Sequence, residues 1–130
     1  MTDISAAIGR EQLKKLPNFN SRRREIAERY NSELSDLVIT PKNRRGHVFH
    51  QYTIRSDKRD ELREFLLERK INTGIYYPSL LYTYPSMKEY QSSCPNAEIL
   101  VKEVLSLPVH PALSDSDVFE VISSIKAFFG

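Results

Sequence analysis

One stretch of the chain indicates its fold class: residues 47–69 read HVFHQYTIRSDKRDELREFLLER. Residues 47–55 predict a strand by alternation, with Val48, His50, Tyr52 and Ile54 on one face and the residues between them on the other. Ser56 and Asp57 then predict the cap of a helix that runs to about Arg69. The apolar stripe of that helix is formed by Leu62, Phe65 and Leu66. A strand that leads directly into an amphipathic helix favours a layered domain in which helices cover a sheet.

Helical patterns precede this stretch. Residues 3–16 carry apolar side chains at helical spacing, and Thr2 or Asp3 is the predicted N-cap. Pro17 interrupts the pattern, so we expect a break there or the first turn of a second helix. That second amphipathic helix is predicted over residues 18–36. The face that contains Ile4, Ala7 and Ile8 is expected to pack against something outside this chain.

Shorter elements follow residue 69. Residues 71–77 predict a second strand that stops at Pro78, and residues 78–95 predict a loop rich in Tyr and Pro. A short helical stripe over residues 97–104 leads into a third strand candidate, residues 104–109. Ser114 and Asp117 then predict a weak capping box for a final helix. Together these elements predict an α+β domain. We treat residues 1–130 as one domain, with a helical region at 1–37 and an α+β part at 38–130.

Composition excludes several classes of protein. The 130 residues are 40% hydrophobic and 28% charged, as in an ordinary soluble globular domain and unlike a disordered chain. No apolar run has the roughly 18 residues that a membrane span requires. The N-terminus lacks a signal-peptide pattern, so we expect a cytoplasmic protein. One cysteine, Cys94, excludes an internal disulfide, and three histidines give no recognisable zinc pattern.

Charge gives little support to a nucleic-acid partner. The net charge is +2, far below that of a typical nucleic-acid-binding domain. The basic run Arg22–Arg24 is the local exception, and neighbouring glutamates dilute it. A solvated helix face is the favoured interpretation, with a phosphate-binding role as the alternative.

Candidate chemistry concentrates at the end of the second predicted strand. There is no Gly-rich phosphate loop, and His47 and His50 fall on opposite faces of the predicted strand. Tyr76 and Tyr77, with Tyr82 in the following loop, suit a wall that binds a planar or polyhydroxy ligand. The alternative is that these rings only cover the core. From the residues alone, no self-contained catalytic constellation is visible.

Six segments, taken together and in order, resemble the DegT/DnrJ/StrS-type sugar aminotransferases. They are residues 1–9, 12–16, 22–31, 47–52, 74–78 and 105–111. The resemblance covers nearly the whole chain. It implies the small C-terminal domain of a fold-type I pyridoxal-phosphate enzyme, with a small, mostly antiparallel sheet covered by helices. Such enzymes are usually homodimeric and exchange an amino group between glutamate or glutamine and a keto group on a nucleotide-linked sugar.

The resemblance also implies which parts of the enzyme lie elsewhere. The family carries its Schiff-base lysine and its cofactor-binding residues upstream of the segment that Met1 begins, and neither Lys14 nor Lys102 matches that lysine. A pyridoxal-phosphate enzyme needs this lysine to hold the cofactor and to move the proton. We therefore expect that the isolated chain binds no pyridoxal phosphate, does not transaminate, and pairs with an N-terminal domain or companion chain, as a homo-oligomer.

The resemblance assigns substrate-binding roles residue by residue. Tyr76 stands where the family has His or Tyr near the bound sugar, and Tyr77 matches directly. Tyr82 replaces a His near the substrate, and Leu80 replaces a Pro; a Tyr can hydrogen-bond a hydroxyl or phosphate but does not titrate near neutral pH. Lys70 and Asn72 replace Gly residues of the family after the middle helix; Asn tolerates left-handed geometry, and Lys tolerates it less well.

Two other readings remain open at this point. The chain could be a stand-alone interaction or regulatory module that kept the fold and lost the chemistry, which the changes at Leu80 and Tyr82 favour slightly. The other, less favoured, is a nucleic-acid binder that uses Arg22–Arg24, for which binding would depend strongly on salt.

Overall fold

The structure, a computed structural model, describes residues 2–87, 89–90 and 92–130. Within these ranges the chain forms four α-helices and two β-strands: α1 (Asp3–Leu34), β1 (Tyr52–Arg55), α2 (Arg59–Glu68), α3 (Pro95–Glu103), β2 (Val104–Leu107) and α4 (Asp115–Phe129). The strands pair antiparallel, with Tyr52 opposite Leu107 and Arg55 opposite Val104. The predicted α+β class with a small antiparallel sheet is confirmed.

Helix α1 is continuous, so the predicted break at Pro17 is wrong. Thr2 caps the helix through its hydroxyl, which accepts a bond from the N–H of Ser5, and Pro17 lies in the helix interior. Proline removes one helical hydrogen bond, here to the carbonyl of Leu13. Both residues are exposed, so water can bond to that carbonyl and the helix can continue.

The first predicted strand is shorter than expected. Residues 47–51 are irregular, and Phe49 has a φ of 47°, in the left-handed region. Its N–H donates to Nδ1 of His47 at 2.9 Å, instead of joining a strand ladder. Phe49 nevertheless lies fully buried in the core. The alternation of residues 47–55 agrees with the burial of Tyr52 and Ile54, but it fails before Tyr52, where Val48 is exposed and Phe49 is buried.

The predicted strand at residues 71–77 is wrong. Only Gly74 pairs there, through an isolated antiparallel bridge to Ser106. The N–H of Ile71 is used instead to end α2, because it donates to the carbonyl of Leu66, while the N–H of Lys70 donates to that of Leu67. This pair of bonds is the Schellman arrangement, and Lys70 has the left-handed conformation that it requires, with a φ of 61°.

Smaller corrections concern element ends. Helix α2 begins at Arg59 after Lys58, which makes no side-chain cap, and the hydroxyl of Ser56 instead accepts a bond from the N–H of Lys58. The third strand candidate ends at Leu107. The predicted loop 78–95 contains two 3₁₀ turns, Leu81–Thr83 and Pro85–Met87, while residues 88 and 91 lie outside the described residues. The capping box of α4 at Ser114 and Asp117 is confirmed.

The core joins the second half of α1 to the sheet and to α2 and α4. Tyr30 and Tyr52 are both fully buried, with ring centroids 5.0 Å apart. The hydroxyl of Tyr30 donates to the carbonyl of Pro108 at 2.9 Å, and that of Tyr52 donates to Oδ1 of Asn31 at 2.7 Å. Burial raises the pKa of both phenols well above the ordinary value. The division of the chain at residues 37/38 stays a prediction.

Two further contacts anchor α1 on the start of α4. Arg22 donates to the carboxylate of Asp115 at 2.8 Å and to the carbonyl of Leu113 at 2.9 Å, and Arg29 also donates to Asp115. These hydrogen bonds hold the pKa of Asp115 below its usual range. Part of the basic run therefore serves to position α4. No helix within the described ranges is long and apolar enough to cross a membrane.

The first half of α1 contributes nothing to this core. Its apolar side chains are exposed, with Ile4 at 75% and Leu13 at 66%, and the first buried residue of the helix is Ile26. We call this surface the exposed α1 face: Ile4, Ile8, Leu13, Leu16 and Phe19. Its exposure agrees with the expectation that it packs against something outside this chain.

Candidate functional site

The three tyrosines predicted from the sequence border one groove. Tyr76, Tyr77 and Tyr82 lie on the segment that follows α2, and α3 forms the opposite wall with Ala97, Leu100 and Val101. We call this space the tyrosine groove; its volume is about 440 Å³. Tyr77 is 77% exposed and Tyr76 is 53% exposed, so these rings do more than cover the core. The groove combines an apolar floor with phenolic hydroxyls, as a surface for a polyhydroxy ring would.

Tyr82 is held at the groove by Glu98 of α3. Its hydroxyl donates to Oε1 of Glu98 at 2.7 Å, and the same oxygen accepts the N–H of Cys94 at 3.3 Å. The hydrogen bond to Glu98, followed by desolvation, raises the pKa of Tyr82 to about 12. Tyr82 therefore keeps its proton at neutral pH and directs it to Glu98. Toward a ligand its oxygen can act only as an acceptor, for example from a sugar hydroxyl.

Tyr76 is positioned by Gly74. Both backbone polar groups of Gly74 bond to Ser106 of β2, at 3.0 Å and 2.7 Å. A Cβ on residue 74 would lie 2.5 Å from Cε2 of Tyr76, so the ring packs directly over the missing side chain. The rings of Tyr76 and Tyr77 meet edge to face, with centroids 6.3 Å apart. Sheet pairing and the absence of a side chain at residue 74 together fix where the Tyr76 ring lies.

A second hollow also has Tyr76 in its lining. We call it the polar cleft: Arg23, His50, Gln51, Asn72, Thr73, Gly74, Tyr76, Ser106, Leu107, Pro108, Val109 and His110, enclosing about 450 Å³. Four parts of the fold converge here, namely α1, the residues before β1, the residues after α2, and the end of β2 with the residues that follow it. Tyr76 is the residue that the tyrosine groove and the polar cleft have in common.

Sequence reasoning did not assign the polar residues of this cleft to a site. Arg23 belongs to the basic run Arg22–Arg24, for which a solvated helix face is the favoured interpretation. One local signal is His110, which lies between Pro108 and Pro111. Another is Gly74 next to the tyrosines, since a glycine inside a predicted strand often marks a close approach. The contact between α1 and the ends of both strands depends on tertiary packing, so no local sequence pattern predicts it.

The described residues do not fit the Schiff-base chemistry of pyridoxal phosphate. No lysine among them lines either the tyrosine groove or the polar cleft. Without a lysine among the described lining residues, those residues offer no amine that could hold the cofactor covalently or move the proton of a transamination. The part of the chain that the structure describes also contains no cluster of three or more metal-ligating side chains.

The sequence profile of the DegT/DnrJ/EryC1/StrS aminotransferase family matches residues 1–126. The chain belongs to this family. Among curated relatives, it is 40% identical over 138 aligned residues to the pleiotropic regulatory protein of Geobacillus stearothermophilus, covering 99% of this chain and 37% of the relative. It is 38% identical to dTDP-4-dehydro-2,3,6-trideoxy-D-glucose 4-aminotransferase of Saccharopolyspora spinosa, covering 95% of this chain and 34% of that enzyme.

A solved structure supports the same relationship. NtdA from Bacillus subtilis, with its bound cofactor PMP, superposes with a TM-score of 0.90 at 25% identity, covering 99% of this chain and 32% of that one. The chain thus spans about a third of the length of the relatives that it matches. Its fold is that of the corresponding part of fold-type I aminotransferases, and the resemblance found in the sequence is confirmed. These matches do not favour a separate interaction or regulatory module.

Proposed function

We propose that this chain is the sugar-contacting portion of a nucleotide-sugar aminotransferase that depends on pyridoxal phosphate. The observation that carries the proposal is the convergence of Tyr76, Tyr77 and Tyr82 at the tyrosine groove. Tyr76 and Tyr77 supply exposed rings against which a sugar can pack, and Tyr82 supplies an oriented acceptor oxygen. In this role the chain binds and orients the substrate, while the Schiff-base lysine belongs to another part of the enzyme.

The other two thirds of the enzyme would meet this chain at the exposed α1 face. The five side chains of that face run along the projecting half of α1, and apolar surface of this kind marks an interaction site. A groove of about 560 Å³ lies along it, lined by residues that include Gly9, Leu13 and Phe19. The remaining portion can be contiguous with this chain or a companion chain, and we propose that the assembled enzyme is a homo-oligomer in the cytoplasm.

The first test is whether the chain needs that remaining portion. Pyridoxal phosphate is titrated into the purified chain, followed by borohydride reduction and mapping of modified lysines. We expect only scattered surface labelling and no transamination. A single lysine modified stoichiometrically would contradict the proposal, because this chain would then hold its own cofactor site.

The second test restores the missing portion. The chain is co-expressed with the N-terminal two thirds of an aminotransferase relative, and transfer of the amino group from glutamate to a nucleotide-linked keto sugar is measured. We expect activity only with both portions present. The substitution Tyr82→Phe should raise the KM for the sugar by about tenfold, because a sugar hydroxyl loses its acceptor. The matched control is Tyr90→Phe, an exposed tyrosine outside the groove; equal effects of the two substitutions would refute the assigned role of Tyr82.

A further inference from the structure

We propose that Glu98 is a positioning residue that sets the direction of hydrogen bonding at Tyr82. The tyrosine groove then takes a sugar group that donates a hydrogen bond, such as a hydroxyl, and disfavours a group that only accepts. In naming a sugar we rely on the function proposed above, whereas the orientation of the Tyr82 hydroxyl follows from the contacts of Glu98 alone. Glu98 is not among the described residues that line the groove, so it acts through Tyr82, which is.

The start of α3 fixes where Glu98 lies. Glu98 is half-buried in the first turn of this helix, where the helix dipole favours a negative charge. Cys94 is the N-cap and makes no side-chain cap; its backbone N–H instead donates to Oε1 of Glu98 at 3.3 Å. The helix start therefore holds this oxygen in place and uses it as an acceptor.

The hydroxyl of Tyr82 donates to the same oxygen. The two oxygen atoms are 2.7 Å apart, as in a charge-assisted hydrogen bond. An ionised carboxylate has no hydrogen to give, so the phenol must be the donor in this pair. The backbone of Tyr82 is held as well, since it is the middle residue of the 3₁₀ turn Leu81–Thr83. With its single hydrogen used, the Tyr82 oxygen presents only lone pairs to a ligand.

The consequence for a ligand is a choice between groups of similar size. A hydroxyl can donate to the Tyr82 oxygen. A carbonyl oxygen, or a fluorine in place of a hydroxyl, sets a second acceptor against that oxygen and leaves both without a hydrogen. Leaving polar groups unpaired in a binding site discriminates between ligands more strongly than a change of apolar contact does. Glu98 thereby determines which sugar groups the groove accepts.

Two substitutions separate the charge of Glu98 from the direction of its hydrogen bond. In Glu98→Gln the amide oxygen must face the N–H of Cys94, because the opposite orientation would set two donors against each other. That oxygen can still accept from Tyr82, so the direction of the bond is kept while the charge is lost. In Glu98→Met the thioether is at most a weak acceptor, and the exposed Cys94 can bond to water. The hydroxyl of Tyr82 is then free to donate to a ligand.

The first measurement uses the purified chain alone, with ¹³C-labelled tyrosine rings and Tyr82→Phe to assign the Tyr82 signal. Glu98 and Cys94 are the described titratable groups that act on this phenol. At about pH 10.5 we expect Tyr82 to be protonated in the wild-type chain and partly ionised in both Glu98 variants. The reason is that its pKa falls from about 12 toward the ordinary value of 10.0 when the negative charge is removed.

The matched control is Glu64→Met, which removes an exposed carboxylate of α2 and should leave the titration of Tyr82 as it is in the wild type. The proposal is overturned if Tyr82 titrates in Glu98→Met as it does in the wild type, or if Glu64→Met shifts it equally.

The second measurement uses the reconstituted enzyme and nucleotide-linked keto sugars in which one hydroxyl at a time is replaced by fluorine. The wild type and Glu98→Gln should disfavour one of these analogues by about tenfold in kcat/KM relative to the parent sugar, and Glu98→Met should lose that discrimination. Equal discrimination by Glu98→Met and the wild type for every analogue would overturn the proposal. An inactive reconstituted enzyme, or an unchanged KM in Tyr82→Phe, would contradict the proposed function instead, and the titration of Tyr82 would still show whether Glu98 holds its proton.

Discussion

Replacing Gly74 with alanine should move Tyr76 without unfolding the protein. The added Cβ would lie 2.5 Å from Cε2 of Tyr76 and 2.8 Å from its hydroxyl oxygen. Ordinary contact begins at 3.4 Å, so the ring must retreat by about 0.9 Å or more. The backbone of residue 74 has little freedom to retreat instead, because its N–H and C=O both bond to Ser106.

The energetic consequence of this substitution should be small. The Tyr76 ring is half exposed and can turn toward solvent, so little apolar burial is lost. Gly74 is not in the left-handed region, and a compatible Gly→Ala change stabilises a protein by about 0.4–1 kcal/mol through the unfolded state. We therefore expect the free energy of unfolding to change by less than about 1 kcal/mol.

Two measurements check that Gly74→Ala moves the Tyr76 ring and leaves the free energy of unfolding almost unchanged. Urea unfolding gives the free energy, and NMR of ring-labelled tyrosine reports the environment of Tyr76. In the reconstituted enzyme the KM for the sugar should rise, since Tyr76 borders both hollows. The control is Gly9→Ala, where a Cβ meets nothing within 4 Å; it should leave the Tyr76 signals unchanged. Unchanged Tyr76 signals in Gly74→Ala, or a loss of more than about 3 kcal/mol, would refute the reasoning.

Two further predictions concern stability. Lys70→Gly should raise the free energy of unfolding by about 0.5–1 kcal/mol, because glycine adopts the left-handed conformation of the Schellman cap without strain; urea unfolding measures this, and a loss of stability would contradict it. The fold should also lose stability as the pH rises above about 10, because Tyr30 and Tyr52 have raised pKa values when folded while the unfolded chain ionises at the ordinary value. Unfolding curves at successive alkaline pH values test this. Tyr30→Phe should flatten the dependence, Tyr90→Phe should not, and equal slopes in the two variants would contradict the assignment.

The final helix and the helix that follows β1 could be predicted from the sequence because their signals are local. The Ser114–Asp117 capping box and the apolar spacing within α4 depend on residues three or four apart. The same holds for the buried stripe of α2, in which Leu62 and Leu66 are fully buried and Phe65 is half-buried. Where a pattern and its cause lie within one turn of helix, the sequence is sufficient.

The wrong predictions arose where a backbone group that the predicted element needs is engaged elsewhere, or where the loss of a backbone bond is tolerated. A strand at residues 71–77 would need the N–H of Ile71, which the end of α2 already uses. A strand before Tyr52 would need the N–H of Phe49, which bonds to His47. At Pro17 the sequence predicts a break where the helix is in fact continuous, because solvent exposure makes the lost helical hydrogen bond tolerable.

The candidate site likewise contains residues that a local sequence pattern predicts and residues that only tertiary packing brings together. Tyr76, Tyr77 and Tyr82 could be predicted because aromatic residues cluster along one short segment. Arg23 and His110 are 87 residues apart in sequence, and only the packing of α1 across the end of the sheet brings both to one cleft. No property of either residue alone predicts that meeting.

The helical order of the first half of α1 is coupled to the binding of the proposed partner. From Asp3 to Phe19 the helix extends about 25 Å at 1.5 Å per residue, and it has no buried side chains of its own. A helix of this length is marginal in water without packing, and Gly9 lowers its propensity by about 1 kcal/mol. A partner bound at the exposed α1 face, as proposed above, would supply the free energy that orders these turns. A substitution such as Gly9→Ala, silent in the core, should strengthen assembly by preforming the surface that the partner binds.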